Sequence, residues 1–458
     1  MDYFGVDNSH RLVQKIASLY ANQLLSDITL IVESKHYSAH RLILCASSDV
    51  FQVMLMDPRW TESHQSSIIL EEDPACAAVF PEFLYYLYSG QVVLQQNSAL
   101  PLLALADKYN VRDLREVCLT YMTNHIVAAA SHGQLVSWIQ YASWSAHPSF
   151  SEVCRNFIKW NFLLISEADD FGSMDKDMLE SFLKDDELII RNELTLYHCV
   201  VRWLHLQRGG REESLKDLDV GLIKKVMMCI RFPMISPRQL AEMLLYPLVS
   251  QFKEFFVERL AVGMAFHSGQ HDRVEEVKAT EENGDTLFRP RLYTEERWST
   301  GIQIDGLGSL PYYYTRTLVF SSQGSLCDCD EESQIQHEWT VDVHPKGVLF
   351  QRFHLIVWQG TLEVPEHIIR TIRLSITGKN IHRAKVKVGL LLTGSLGGRE
   401  HVCKVLTRRF TFSDEERVLH FNDILPFGEL SSLSSPFLVG SHQDSFALRI
   451  VITPISDS

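Results

Sequence analysis

Residues 24–55 read LLSDITLIVESKHYSAHRLILCASSDVFQVML, and two periodicities meet inside them. DITLIVES (27–34) is a short apolar run of strand length. HRLILCASSDVFQVML (40–55) instead carries helical apolar spacing at Leu44, Phe51 and Leu55, and Asp57 with Pro58 closes that segment. Upstream, a Ser9 cap signal precedes Leu12, Ile16, Leu19 and Tyr20, which share one helical face. Downstream, SSIIL (66–70) reads as a strand, and AVFPEFLYYLYSG (78–90) and LPLLALADKYN (100–110) read as helices. Residues 9–125 therefore mix helix and strand in one α/β region.

The texture then changes. Residues 134–267 are helical throughout. In NELTLYHCVVRWL (192–204), Leu196, Val200, Trp203 and Leu204 fall on one stripe behind an Asn192 cap. In ISPRQLAEMLL (235–245), Ser236 is the cap and Pro237 takes the first helical position, where its missing N–H costs nothing. Residues 268–289, SGQHDRVEEVKATEENGDTLFR, are polar and predict a solvated linker. From 290 to 458 the period is two: Trp339, Val341 and Val343 alternate with polar neighbours. So do Ile372, Leu374 and Ile376, then Val386, Val388, Leu390 and Leu392, then Phe446, Leu448, Ile450 and Ile452. Half-buried strands between Gly/Pro turns predict an antiparallel sandwich, and the linker before it predicts that the sandwich folds alone.

A chain of 458 residues exceeds one core and predicts two to four domains. A hydrophobic share of 46% with 22% charged residues is an ordinary globular composition. A formal charge of −14, with no Lys/Arg run longer than two, argues against nucleic-acid binding. No apolar run approaches membrane-helix length. The acid at position 2, the odd count of 9 cysteines and the lack of any N-x-[ST] sequon favour a reducing, cytoplasmic setting. No G-x-S-x-G, H-E-x-x-H, Walker A or C-x-x-C occurs, so nothing points to an enzyme. GSLGG (394–398) has the wrong order for a nucleophile elbow and reads as a hairpin turn. Cys327-Asp328-Cys329 with His337 lacks a fourth ligand at zinc spacing. Tyr312 to Tyr314 either line a recognition surface or form an aromatic strand of the sandwich core.

One stretch resists a structural account. MLMDPRWTESHQ (54–65) places Trp60 in a polar loop, where Gly, Asn, Ser and Asp are the usual choice. Such a ring either packs on its own domain or anchors a partner.

The elements of 24–55, followed by LYYLYSG (84–90) and LLALADKYNVRDLREVCLTYM (102–122), resemble a BTB/POZ domain. SWIQYASWSAHPSFSEVCRNFIKWNFLLISEADDF (137–171) and DDELIIRNELTLYHCVVRWL (185–204) resemble a BACK domain. HEWTVDVHPKG (337–347) and SSPFLVGSHQDSFALRIVI (434–452) are similar to a TRAF/MATH-like sandwich. The resemblance implies an α/β BTB/POZ domain at 9–126, an all-α BACK domain at 127–267 and, after the 268–289 linker, an all-β antiparallel sandwich at 290–458.

The resemblance also implies homodimerisation and docking on cullin-3, the scaffold of a ubiquitin ligase. Trp60-Thr61-Glu62 matches the family's cullin-binding signature, with Phe51, Met54 and Leu55 on the preceding helix and Tyr109 and Asn110 as a second patch. Leu12, Ile16 and Leu19, with the polar pair Asp27 and His40, mark the expected dimer interface; those two polar groups alternatively satisfy one another. The expected function is a substrate adaptor whose sandwich, 290–458, presents an unidentified protein target. A cullin-independent scaffold is the alternative, and a secreted adhesion protein a more distant one. Vertebrate relatives of this architecture begin with a secretory-looking segment that this sequence lacks, so secretion is not carried over. The expectation includes no cofactor, no metal, no nucleic acid and no membrane.

Overall fold

A computed structural model describes residues 7–207, 219–281, 284–311, 314–327, 336–346, 371–432 and 435–455. The chain divides into two compact units, 1–129 with 138–154, and 130–137 with 155–458.

The first unit is built on a three-stranded sheet of order β2-β1-β3. β1 (Ile28–Val32) and β2 (Lys35–Ala39) form an antiparallel hairpin, and β3 (Ser67–Leu70) runs parallel to β1. A parallel neighbour needs a long crossover, and helices α2 (Arg41–Ser47) and α3 (Asp49–Met56) supply it. The expected single helix is two because Ser48 turns extended (φ −144°) and its hydroxyl accepts from the Phe51 N–H, capping α3. The same hydroxyl donates to the Tyr109 carbonyl at 2.5 Å. α1 (Ser9–Asn22), α4 (Pro74–Ser89), α5 (Gln96–Lys108) and α6 (Arg112–Asn124) complete the layer. Ile28, Leu30 and Val32 are buried, as are Phe80, Phe83, Leu102 and Leu114 of the helices.

The second unit joins helices to two sheets. Asn192 caps helix Glu193–Leu206 as expected, its Oδ1 accepting from the Thr195 N–H at 2.9 Å. Pro237 opens helix Pro237–Met243, but the Ser236 hydroxyl turns to the Gln239 side chain instead of the backbone. Sandwich sheet one contains β6 (Ser299–Ile304), β10 (Arg383–Leu396), β11 (Arg399–Ser413), β13 (Leu438–Val439) and β14 (Ser445–Pro454). Sheet two has the order β12-β9-β8-β7, from Val418–Phe421, Arg373–Lys379, Gln336–His344 and Arg316–Gln323. The alternating residues read from sequence meet in one core: Trp339, Val341, Val343, Leu374 and Ile376 against Val386, Val388, Leu390, Leu448 and Ile450. GSLGG is the β10–β11 turn, with Gly397 and Gly398 both at positive φ, as a two-residue hairpin demands. Tyr314 packs at the margin of this core, while Tyr312 and Tyr313 lie outside the described residues.

The solvated linker is a correction. Residues 271–280 and 284–287 are helical, and Val274, Leu287 and Phe288 bury themselves with Val262 of helix Lys253–His267. Three buried apolar side chains, with the half-buried Val277, are enough to dock this polar stretch.

Nor does the sandwich stand apart from these helices. β4 (Ile189–Ile190), next to the helix cap, pairs in parallel with β5 (Leu292–Tyr293) at the sandwich entry. Leu292 then presses so closely on β10 that a Cβ on Gly389 would meet its terminal methyl at 2.7 Å, and any larger residue there must displace that side chain. Ile189, Leu292, Leu391 and Val451 form a second small core on the outer face of sheet one. β10 is consequently buried on both faces over much of its length.

Candidate functional site

Three groups of residues bear on function. The first is the loop after α3. Asp57 accepts from the N–H of Arg59 at 3.0 Å, and Asp57 O from the N–H of Trp60 at 3.0 Å, turning the chain sharply. The Arg41 guanidinium then ties the loop down, donating to the carbonyls of Leu55 (3.1 Å) and Gln65 (2.5 Å). With its backbone held, the loop leaves the Trp60 side chain 48% exposed. Glu62 sits in a short 3₁₀ turn, Thr61–His64, half-buried, and accepts from the Thr61 hydroxyl at 2.9 Å. Trp60 is therefore no part of the buried core of its domain.

The preceding helix requires a correction. Phe51 is 0% exposed and Leu55 is buried, so neither faces a partner. Tyr109 is buried too, stacked on Phe51 at 4.5 Å, with its hydroxyl donating to Glu72 at 2.5 Å. Burial, then the Glu72 contact, pushes its phenol pKa up. These residues are the core stripe of the domain. The outward stripe of α3 is Val50, Val53 and Met56, all exposed, with Met54 half-buried at its side. Reading apolar spacing for the core stripe identified the wrong face; the apolar residues left off that stripe were the signal. Asn110, at φ 50°, is half-buried and tied to Asp49 (2.6 Å) and Arg115 (2.8 Å).

The second group lies around α1. Leu12 is 60% exposed, Ile16 and Leu19 are half-buried, and no α1 residue is fully buried. Leu24 and Leu25, just after α1, and Leu42, all missed by the sequence reading, are exposed too. Asp27 and His40 do not satisfy one another. Asp27 accepts from the Arg41 N–H at 2.8 Å, while the His40 ring nitrogens meet the Tyr88 hydroxyl (2.9 Å) and the Leu24 carbonyl (2.6 Å).

The third group is the Cys327 region. Its thiol is buried and donates to the carbonyls of Phe266 (3.3 Å) and His267 (3.4 Å). Asp328 and Cys329 lie outside the described residues. Among the described residues no set of three His, Cys, Asp or Glu side chains is grouped to hold a metal.

Comparison with known families agrees with this architecture. A BTB/POZ domain model matches residues 16–126, a model described as BTB And C-terminal Kelch (BACK) matches 135–245, and a BTBD17 TRAF domain model matches 288–456. The chain thus carries a BTB/POZ domain, a BACK domain and a TRAF domain in that order. BTB/POZ domain-containing protein 17 of Xenopus laevis is 29% identical over 350 residues, 75% of this chain and 69% of that one. Its human counterpart is 28% identical over 462 residues, 98% of this chain and 90% of that one. Galectin-3-binding protein of Mus musculus is 22% identical over 312 residues, covering 68% and 52%. Among the relatives named BTB/POZ domain-containing protein 17, the share of their own length spanned falls as low as 48%, for Mus musculus. This BTB–BACK–TRAF protein is a protein-interaction module, and no helix among its described residues is long and apolar enough to cross a membrane.

Proposed function

We propose that the chain is a substrate-recognition adaptor of a cullin-3 RING ubiquitin ligase. It dimerises through the BTB domain, binds cullin-3 through BTB and BACK, and presents targets through the TRAF sandwich in the cytoplasm. The reading rests on one observation above others: a tryptophan held out of its own core on a pinned loop, beside an exposed Val50–Val53–Met56 stripe. A fixed backbone lowers the ordering cost of binding, and a large aromatic ring seated in a partner pocket is the commonest interface hot spot. Glu62 sets the register by accepting hydrogen bonds from the partner. The chain supplies no chemistry of its own; holding target and ligase together raises their effective concentration.

A second reading, a cullin-independent scaffold, draws on the exposed α1 surface, which favours self-association without reference to Trp60. Titrating the full chain with the isolated N-terminal region of cullin-3 in a calorimeter separates the two. A saturable heat supports the adaptor; its absence, with dimerisation intact, supports the scaffold.

A further inference from the structure

Sheet two of the sandwich ends at β12, which pairs with β9 and lies at the end of the strand order. A strand edge of this kind offers its backbone to any extended segment, from a partner or from another copy of the chain. In an antiparallel strand the N–H and C=O of one residue point the same way, and successive residues alternate. The Arg417 carbonyl accepts from the Gly378 N–H at 3.1 Å, on the β9 side. Val418 and His420 therefore point outward.

Three side chains reach the carbonyls along that outward line. The Arg408 guanidinium donates to the His420 carbonyl at 2.7 Å. Just beyond the strand, the Thr371 hydroxyl donates to the Asn422 carbonyl at 2.5 Å, and the Lys404 ammonium to the Ile424 carbonyl at 2.9 Å. The acceptors are alternate residues, the spacing at which an added strand would need them.

Charge pairing does not place the two cations there. In the β10–β11 register Arg408 lies opposite Val388 and Lys404 opposite Leu392, both residues of the core. Residues directly opposite share a face, so both cations start from the core-facing row of β11, where Leu406 and Phe410 pack. Neither head has an ion pair among the described residues. Arg408 crosses instead to the other sheet, its guanidinium 4.8 Å from the centroid of the Phe421 ring. Inward-pointing charge is one means by which proteins blunt a sheet edge.

We infer that Arg408, Thr371 and Lys404 close the β12 edge to strand addition, whether by a second copy of the chain or by an extended peptide. An incoming strand must displace donors already seated on the carbonyls it needs. A target carried by the sandwich is therefore held somewhere other than the β12 edge. The closure does not depend on cullin-3 binding, so it stands or falls separately from the adaptor reading.

The test is light scattering of the full chain over an about tenfold concentration range, where mass action exposes association. Arg408→Met with Lys404→Met keeps the apolar stems over the core and removes the donor heads. It also makes the net charge of −14 more negative, which by itself opposes association. The expected variant melts like the wild type yet rises to about twice the wild-type plateau mass or more. Adding His420→Pro removes the outward N–H without touching the β9 ladder, and should return the variant to that plateau. Arg383→Met with Arg409→Met, two exposed arginines that cap no β12 carbonyl, should stay at the plateau. Should the Arg408, Lys404 variant not fold, Arg408→Met alone takes its place. A folded variant at the wild-type mass, growth that survives His420→Pro, or equal growth in the Arg383, Arg409 control overturns the inference.

Discussion

Asn161 and Val402 pair as two strand residues do: the asparagine Oδ1 accepts from the Val402 N–H at 2.8 Å, and its amide nitrogen donates to the Val402 carbonyl at 2.9 Å. A side chain from the helical segment thereby takes the place of a strand on the edge of β11, the exposure that sheets otherwise must protect. Thr407, farther along β11, donates to Glu187 at 3.0 Å. Sheet one is held from outside by Asn161 and Glu187, side chains far before it in sequence. Replacing Asn161→Ala leaves two part-buried backbone groups without partners and is expected to cost about 1–3 kcal/mol. Chemical denaturation followed by circular dichroism measures it, and an unchanged midpoint contradicts it.

A buried ion pair marks the same junction. Arg291 and Glu193 lie 3.1 Å apart with both side chains fully buried. Glu193 also accepts from the Tyr293 hydroxyl (2.6 Å) and the Arg231 N–H (2.8 Å). Removing one partner of such a pair leaves an uncompensated charge, so Glu193→Gln is expected to lose about 3–5 kcal/mol at neutral pH.

That pair also sets a pH dependence. Burial alone favours the neutral acid, but Arg291 and Arg231 hold the Glu193 carboxyl below its ordinary value of 4.5. A carboxylate depressed on folding contributes its stability above the unfolded pKa, and loses it as pH falls through the folded one. The wild type should therefore lose stability below about pH 4.5, and Glu193→Gln should fall less steeply there. Asp186 and Glu187, also held below their ordinary values by neighbouring cations, keep part of the slope. Melting temperatures across pH 3–7 test this; parallel curves contradict it.

The outer-face core reverses one expectation from sequence. A fragment of residues 288–458 exposes Leu391 and Val451 and deprives Leu292 of its strand partner at Ile189. It should aggregate when expressed alone, whereas 155–458 should stay soluble. A monodisperse, cooperatively melting 288–458 fragment contradicts this.

Much of this was legible and the rest has identifiable reasons. The Asn192 cap, the Gly397-Gly398 turn and the alternation of Trp339, Val341 and Val343 are local, and local rules read them. Two-sided burial of β10 was written in VGLLL (388–392), a continuous apolar run, but a strict count of alternate residues passes over Leu391. The 271–280 helix was hidden because Val274 is its one buried side chain, docked on Val262, Leu287 and Phe288 of the flanking segments. At the candidate cullin surface, helical spacing picked out Phe51 and Leu55, which are the core stripe of α3, and passed over the outward Val50, Val53 and Met56. Trp60 was recognisable because nothing local explains it.

Self-association has its own test. Leu12 and Leu25 are exposed on the surface around α1, and Leu12→Glu with Leu25→Glu should convert a dimer to a particle of the 52.5 kDa chain mass. Multi-angle light scattering reads this directly, and a monomeric wild type at micromolar concentration contradicts dimerisation.

The most direct measurement of the central claim is the affinity of full-length Trp60→Ala, Glu62→Ala for the cullin-3 N-terminal region, beside the wild type. Truncating a hot spot costs about 2 kcal/mol or more, roughly thirtyfold in affinity. An exposed ring contributes little to its own fold, so the melting temperature should not move. The account predicts tight wild-type binding, a loss of at least that size and unaltered stability. Wild-type affinity in the variant, or no binding by the wild type, contradicts it.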